Sequence, residues 1–253
     1  MERDANELWG IERITDHQWT FYEDVLHAAK TADHPFALGG AFAFAAYTGV
    51  LRNTKDIDLY IQQEAKEIFI GAVTRAGASD YFETLAYDRG WIYRSTRDGY
   101  IADFIWAMAN YVQPLDADYF NGETTLLLRG QSVPVIPAEE LILNKLYIMQ
   151  RSRCDWFDVF NLLYCTNGNL DWKRLIRKMG PDSVLLASAL NVFAWLCPGR
   201  VYSFPNDLWS QLGLKRPPSD GPEVMETRVN YLDSRPWFVP VLKPGERPFA
   251  EGD

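Results

Sequence analysis

FALGGAFAFAAYTGVLRNTKDIDLYI, Phe36 to Ile61, is the stretch that the rest of the chain is arranged around. It divides into a short apolar strand (Phe36 to Leu38), a Gly39-Gly40 turn, a helix to about Thr48, a Gly49 stop and a polar loop, then a second strand carrying Asp56 and Asp58. Side chains two apart on a strand share a face. Asp56 and Asp58 therefore present two carboxylates side by side, while Ile57 and Leu59 turn into the core. Like charges held that close are costly without a cation between them. Oxygen-only ligands suit Mg²⁺, which favours a carboxylate or two together with substrate phosphates. Gly39 and Gly40 add the complementary part, because glycine lets the backbone approach a ligand closely and a helix start offers N–H groups and a positive dipole end to an anion. Each piece alone also reads as ordinary structure, a tight turn or a strand with two acids on its polar face. In this order they read together as a nucleoside triphosphate site.

The same residues carry a resemblance. GGAFAFAAYTGVLRNTKDIDLYI (Gly39 to Ile61) resembles the motif of the DNA polymerase β-like nucleotidyltransferase superfamily, a small-residue pair opening a helix and then Asp-x-Asp on the next strand. Through Gly49, Arg52 and Thr54 it is most similar to the bacterial AbiEii-like and related minimal nucleotidyltransferases, over the span Pro35 to Asn161. The resemblance implies an α+β nucleotidyltransferase fold, a small mixed β-sheet flanked by helices and followed by a helical C-terminal region. It implies Mg²⁺- (or Mn²⁺-) dependent transfer of a nucleoside monophosphate from an NTP, ATP among them, to a hydroxyl acceptor with release of pyrophosphate. Gly39, Gly40, Arg52 and Thr54 would then lie at the nucleotide, and Asp56 and Asp58 would hold the metal. Many members have Gly-Ser where this chain has Gly39-Gly40, so a serine hydroxyl toward the phosphates is missing.

A third acid stands in the apolar run YIADFIW (Tyr100 to Trp106), which Thr96-Arg97-Asp98-Gly99 joins to Trp91–Ser95; Asp-Gly between two β-rich runs predicts a hairpin. A lone Asp103 in a core strand needs a reason. It sits at a sheet edge, it pairs with Arg94 or Arg97, or, as the resemblance implies, it is the third carboxylate beside the Asp-x-Asp strand, acting as metal ligand or general base.

Around this centre the sequence predicts helices at Asp16–Ala32, with Asp16 as N-cap, and at Glu64–Ala76, with Ile68, Phe69, Ala72 and Val73 buried. Asn110 to Leu128 reads mostly as loop, and Val133 to Ile136 as a short strand. From Pro137 the period turns helical, with Leu141, Ile142, Leu146 and Met149 inward, then Trp156, Val159, Phe160 and Leu163 inward. Composition alone makes Lys145, Arg151, Arg153, Asp155 and Asp158 a solvated face. The resemblance instead implies that Lys145 reaches the triphosphate while Asp155 and Asp158 orient it or brace Arg151 and Arg153. KRLIRK (Lys173 to Lys178) is the most basic patch, a solvated helix face or a place for RNA. We therefore expect a catalytic domain at 1–136, a helical domain at 137–200 and a proline- and glycine-rich arm at 201–253 that offers Trp237 and Phe238 to a neighbour.

The 253 residues suit one or two domains at about 150 residues each, and a 47% hydrophobic, 23% charged composition is globular. No membrane association is expected: the longest apolar stretch, Val184 to Cys197, is too short to span, and MERDANELWG lacks the form of a signal peptide. Cys154, Cys165 and Cys197 match no zinc spacing and read as free thiols in a reducing cytoplasm. A net charge of −9 argues against a tight nonspecific nucleic-acid binder. Three functions compete: an enzyme modifying a macromolecule, such as the toxin of a toxin–antitoxin pair acting on RNA or protein, with an antitoxin as partner; an enzyme modifying a small hydroxylated molecule, as aminoglycoside nucleotidyltransferases do; and a nucleotide-binding protein without turnover.

Overall fold

The computed structural model describes residues 1–235 and Phe238. Contacts divide the chain into two units, Met1–Pro137 and Ala138–Asp253. The first is mixed α+β and the second is helical.

In the first unit a five-stranded sheet runs β2 (Phe36–Leu38), β3 (Asp56–Ile61), β6 (Tyr100–Ile105), β5 (Ile92–Arg97), β4 (Ser79–Asp80). Only the β3–β6 pairing is parallel. A parallel neighbour needs a crossover, which here holds α3 (Lys66–Arg75), β4 and β5. Ile57, Leu59 and Phe104 share one face, and Phe69 of α3 lies against Phe36 and Phe104 there at ring-centroid separations of 6.3 and 6.1 Å. α1 (Asp16–Thr31) reaches the sheet through Arg97, whose guanidinium lies 5.0 Å from the Phe21 ring and bonds Asp24 at 2.7 Å. α2 (Gly40–Thr48) is apolar all round, and Phe42, Ala43, Phe44, Ala45 and Ala46 are all buried. A helix with no polar face belongs inside. A smaller sheet, β1 (Glu2–Asp4), β7 (Thr125–Leu128), β8 (Gln131–Pro134), completes the unit.

The second unit packs α4 (Ala138–Leu146), α5 (Trp156–Thr166), α6 (Trp172–Met179) and α7 (Ser183–Leu196) around Leu141, Ile142, Leu163, Leu186, Leu190 and Phe193. The helical run Trp172–Leu196 is long and apolar enough to cross a membrane by composition alone. It is broken at Gly180–Asp182, and Leu175, Met179, Leu186 and Leu190 are buried in this unit's core.

Several expectations change. Thr15, not Asp16, caps α1, accepting from the Gln18 N–H at 3.2 Å. Ile68 is exposed on α3, and Met149 is exposed because α4 already ends at Leu146. The hairpin turn is the two residues Asp98-Gly99, both at positive φ, so β5 runs on to Arg97, two residues past its expected end. Residues 125–128, read as loop, pair as β7. The basic KRLIRK patch is partly consumed inside the unit: Arg174 bonds Glu139 at 2.7 Å, and Lys178 bonds the fully buried Glu140 at 3.0 Å. Where an extended arm is expected from residue 201, α8 (Asn206–Gln211) and α9 (Glu226–Leu232) form instead, with Leu208, Trp209 and Val229 buried. Phe238 packs on Tyr164 and Phe193 of its own unit, and Trp237 lies outside the described residues.

A buried charge deprived of its partner is strongly destabilising. Glu140→Gln is therefore expected to lower unfolding free energy by about 3 kcal/mol in chemical denaturation, whereas the exposed Lys173→Ala should stay within about 0.5 kcal/mol of wild type.

Candidate active site

One row of side chains crosses three strands. Asp58 stands opposite Asp103 in the β3–β6 register, and Asp103 stands opposite Arg94 in the β5–β6 register. Cross-strand partners project from the same face, as does Asp56 two residues before Asp58. One carboxylate oxygen from each of Asp56, Asp58 and Asp103 lies within 4.8 Å of the other two. Asp56 and Asp58 are half-buried and Asp103 is 2% exposed.

Each acid is held by a different device. The Thr54 hydroxyl donates to Asp56 Oδ1 at 2.6 Å. The Thr54 carbonyl in turn accepts from Gln18 Nε2 at 2.7 Å, and the same Gln18 nitrogen donates to the Tyr22 hydroxyl at 2.8 Å. Burial pushes the Tyr22 phenol well above its ordinary range, and Asp56 and Asp58 add to the rise. Asp103 accepts from Arg94 Nε at 2.8 Å and from Nη2 at 2.6 Å, one bond to each carboxylate oxygen. Burial raises the Asp103 carboxyl from the usual carboxylate range and Asp56 adds to the rise, while the guanidinium opposes it. The same bridge keeps Arg94 protonated.

Asp58 is shaped by the glycine pair. Gly40 has φ +49°, and a Cβ there would lie 1.7 Å from Asp58 Oδ2. A Cβ on Gly39 would lie 2.1 Å from the Tyr60 ring, and the Gly39 N–H donates to the Asp58 carbonyl at 2.9 Å. With Tyr60 and Asp58 placed as they are, glycine at both positions lets the start of α2 close on β3. The first intrahelical bond runs from Ala43 to Gly39, so the earlier N–H groups of the turn, at the positive end of the helix, have no partner within it. That end sits beside the Asp58 carboxylate.

The donor set suits a divalent cation: three hard oxygen donors on two neighbouring strands, one oxygen of each within 4.8 Å of the others.

The other predicted residues fall as follows. Arg52 is half-buried with its guanidinium 5.1 Å from the Phe44 ring. The Thr54 hydroxyl is directed to Asp56. Lys145 belongs to the second unit and is buried, donating to Asp155 at 3.1 Å and to Asp158. Asp155 also accepts from Arg153 Nε at 2.7 Å and Nη2 at 2.8 Å. Both aspartates bond Lys145 and one of them bonds Arg153, with Lys145, Asp155 and Asp158 buried in place of a solvated face. Burial alone would raise Asp155; Arg153 and Lys145 together hold it at about 2. Sequence reasoning missed Gln18 and Tyr22, whose apolar-looking helix face hides two polar groups. Arg94 was legible as one possible partner of Asp103. The structure makes that pairing and the acid cluster true together.

No family model matches the sequence, and no curated relative matches it. Among solved structures the chain is similar to the antibiotic-resistance factor ANT(2'')-Ia, at 20% identity over 52% of this chain and 71% of that one, TM-score 0.40. It is also similar to the lincosamide antibiotic adenylyltransferase LnuA, at 17% identity over 59% of this chain and 96% of that one, TM-score 0.41. JHP933 from Helicobacter pylori matches at 15% identity over 71% and 81%, TM-score 0.37. Likeness of this degree concerns the fold at most, and the chemistry rests on this chain's own carboxylates.

Two outcomes follow. Gly40→Ala puts a methyl group onto Asp58 Oδ2 in a left-handed backbone; it is expected to cost about 1–3 kcal/mol of stability and to abolish tight Mn²⁺ binding, read by thermal melting and by titration of free Mn²⁺. Asp155, held low at about 2, contributes stability that is full above its ordinary value of 3.8 and is lost as pH falls through about 2. Asp155→Asn should therefore destabilise the protein by about 3 kcal/mol at pH 7 and flatten the fall in stability between pH 4 and 2, measured by denaturant melts at each pH.

Proposed function

We propose that this chain is a divalent-cation-dependent nucleotidyltransferase, moving a nucleoside monophosphate from an NTP to a hydroxyl acceptor and releasing pyrophosphate. The observation that carries the reading is the meeting of three carboxylates with a glycine-built helix start at Asp58. A divalent cation held by Asp56, Asp58 and Asp103 would supply the positive charge that a triphosphate and a departing pyrophosphate need.

The chain's own groups do the rest. Backbone N–H groups at the start of α2 receive phosphate oxygens, and the absent side chains of Gly39 and Gly40 let them come close. Thr54 keeps Asp56 in place, and Arg52 at the adjoining loop supports the phosphates. The acceptor oxygen bonds to the α-phosphorus as the bond to the pyrophosphate oxygen breaks, and a carboxylate of the trio takes the acceptor's proton. Positioning and fixed charge account for most of the acceleration in such transfers. Lys145, which the resemblance puts at the triphosphate, is held by Asp155 and Asp158.

Two acceptor classes fall under this reading, a macromolecule, as for the toxin of a toxin–antitoxin pair, and a small hydroxylated molecule. The charge distribution favours the second. The whole excess of −9 falls in residues 1–137, while the remaining residues hold equal numbers of acids and bases. An acidic catalytic unit repels a polyanion such as RNA and draws in a cationic small molecule.

Label transfer tests the reading. Protein, Mg²⁺ and each α-³²P-labelled NTP are incubated with cell extract, and the RNA, protein and small-molecule fractions are counted separately. Label is expected in the small-molecule fraction, falling by on the order of a thousandfold in the Asp56→Asn/Asp58→Asn protein. Equal counts for the two folded proteins in every fraction would sink the catalytic reading.

A further inference from the structure

Arg94 is the cation of the candidate site that the reaction above does not use, and it is built in with unusual completeness. Its guanidinium makes a two-point bridge to Asp103, one bond to each carboxylate oxygen. The carbon of the same guanidinium lies 5.7 Å from the ring of Tyr81, just past β4. Its backbone N–H donates to the Tyr87 hydroxyl at 2.9 Å, and that hydroxyl donates to Asp80 Oδ1 at 3.1 Å. Strand pairing, ring contact and backbone bond all fix where the planar fork points.

A fork bonded to both oxygens fixes the plane of the carboxylate as well as its charge. A carboxylate oxygen carries two lone pairs, so an Asp103 oxygen already bonded to Arg94 still has one to offer. That oxygen lies within 4.8 Å of oxygens of Asp56 and Asp58. We propose that Arg94 is a positioning residue: it aims the Asp103 carboxylate at the cation shared with Asp56 and Asp58, and Tyr81 and Tyr87 hold Arg94 for that task. The proposal rests on the metal-binding reading of the three acids and adds what keeps the third one in place. Groups that orient a metal ligand typically change metal affinity by one to two orders of magnitude when removed.

Lysine separates aim from charge, since an ammonium keeps the positive charge and lacks the fork. Mn²⁺ binding, followed by the electron paramagnetic resonance signal of the free ion, is measured on wild type, Arg94→Lys, Asp103→Asn and the double variant, each checked by thermal melting. Wild type is expected to bind Mn²⁺ and Arg94→Lys to bind it about tenfold more weakly. In the Asp103→Asn background the lysine should change affinity by less than about twofold, since the residue acts through Asp103. Wild-type affinity in Arg94→Lys would overturn the proposal, and so would an equal loss from Arg94→Lys with and without Asp103. A wild type that binds no Mn²⁺ removes the metal reading itself, and the proposal with it. Should Arg94→Lys not fold, Tyr81→Leu removes the ring against the guanidinium and leaves both charges; it is expected to weaken Mn²⁺ binding about threefold, and an unchanged affinity there overturns the proposal equally.

Discussion

Two carboxylates abreast on parallel strands, Asp58 against Asp103, are the constraint to which the first unit is fitted. Like charges about 5 Å apart oppose one another by on the order of 3 kcal/mol at the effective dielectric of a protein surface, and Asp56 joins them from the same face. The surroundings answer that charge at short range. Arg94 bonds Asp103 twice, Thr54 bonds Asp56, and the start of α2 closes on Asp58 across two glycines. These features follow from placing the acids where they are, and they account for why α2 begins without a side chain at its first residue and why the β5–β6 hairpin lies beside β3.

The second unit handles buried acid differently. Lys145 lies between Asp155 and Asp158, and Glu140 faces Arg174 and Lys178. Buried pairs of this kind fix an arrangement more than they stabilise it, because desolvation offsets much of the attraction. Acids and bases are equal in number there, whereas the first unit keeps the whole excess of negative charge. A balanced unit needs no further cation. In the unbalanced one, three of the acids, Asp56, Asp58 and Asp103, gather on two neighbouring strands, with Asp58 beside the start of α2.

Much of this was legible because it is local. The strand, glycine turn, helix and second strand of Phe36 to Ile61 came from spacing alone, and the structure has them within a residue. The apolar positions of α3, α4 and α5 were readable from helical period, apart from Ile68 on α3 and Met149 past the end of α4. Charges were harder to read. Lys145, Asp155 and Asp158 look solvated in sequence, since nothing in a helical pattern tells a surface ion pair from a buried one. The helices after residue 201 were hidden by prolines that cap and separate them.

The hairpin shows how one short-range detail decides the site. A four-residue turn at Thr96–Gly99 pairs Ser95 with Tyr100 and leaves Asp103 opposite Ile92. A two-residue turn at Asp98-Gly99, with both residues at positive φ, pairs Arg97 with Tyr100 and so Arg94 with Asp103. The second is the observed register, and Asp-Gly is the dipeptide that permits it. Because side chains alternate along a strand, a shift of one residue would turn Arg94 to the opposite face and bring Tyr93 or Ser95 against Asp103. Asp103 would then be a buried acid without its bidentate cation, the arrangement that burial penalises most. The turn, remote from the acids, thus belongs to the machinery of the site: its length selects which side chain can hold the third carboxylate.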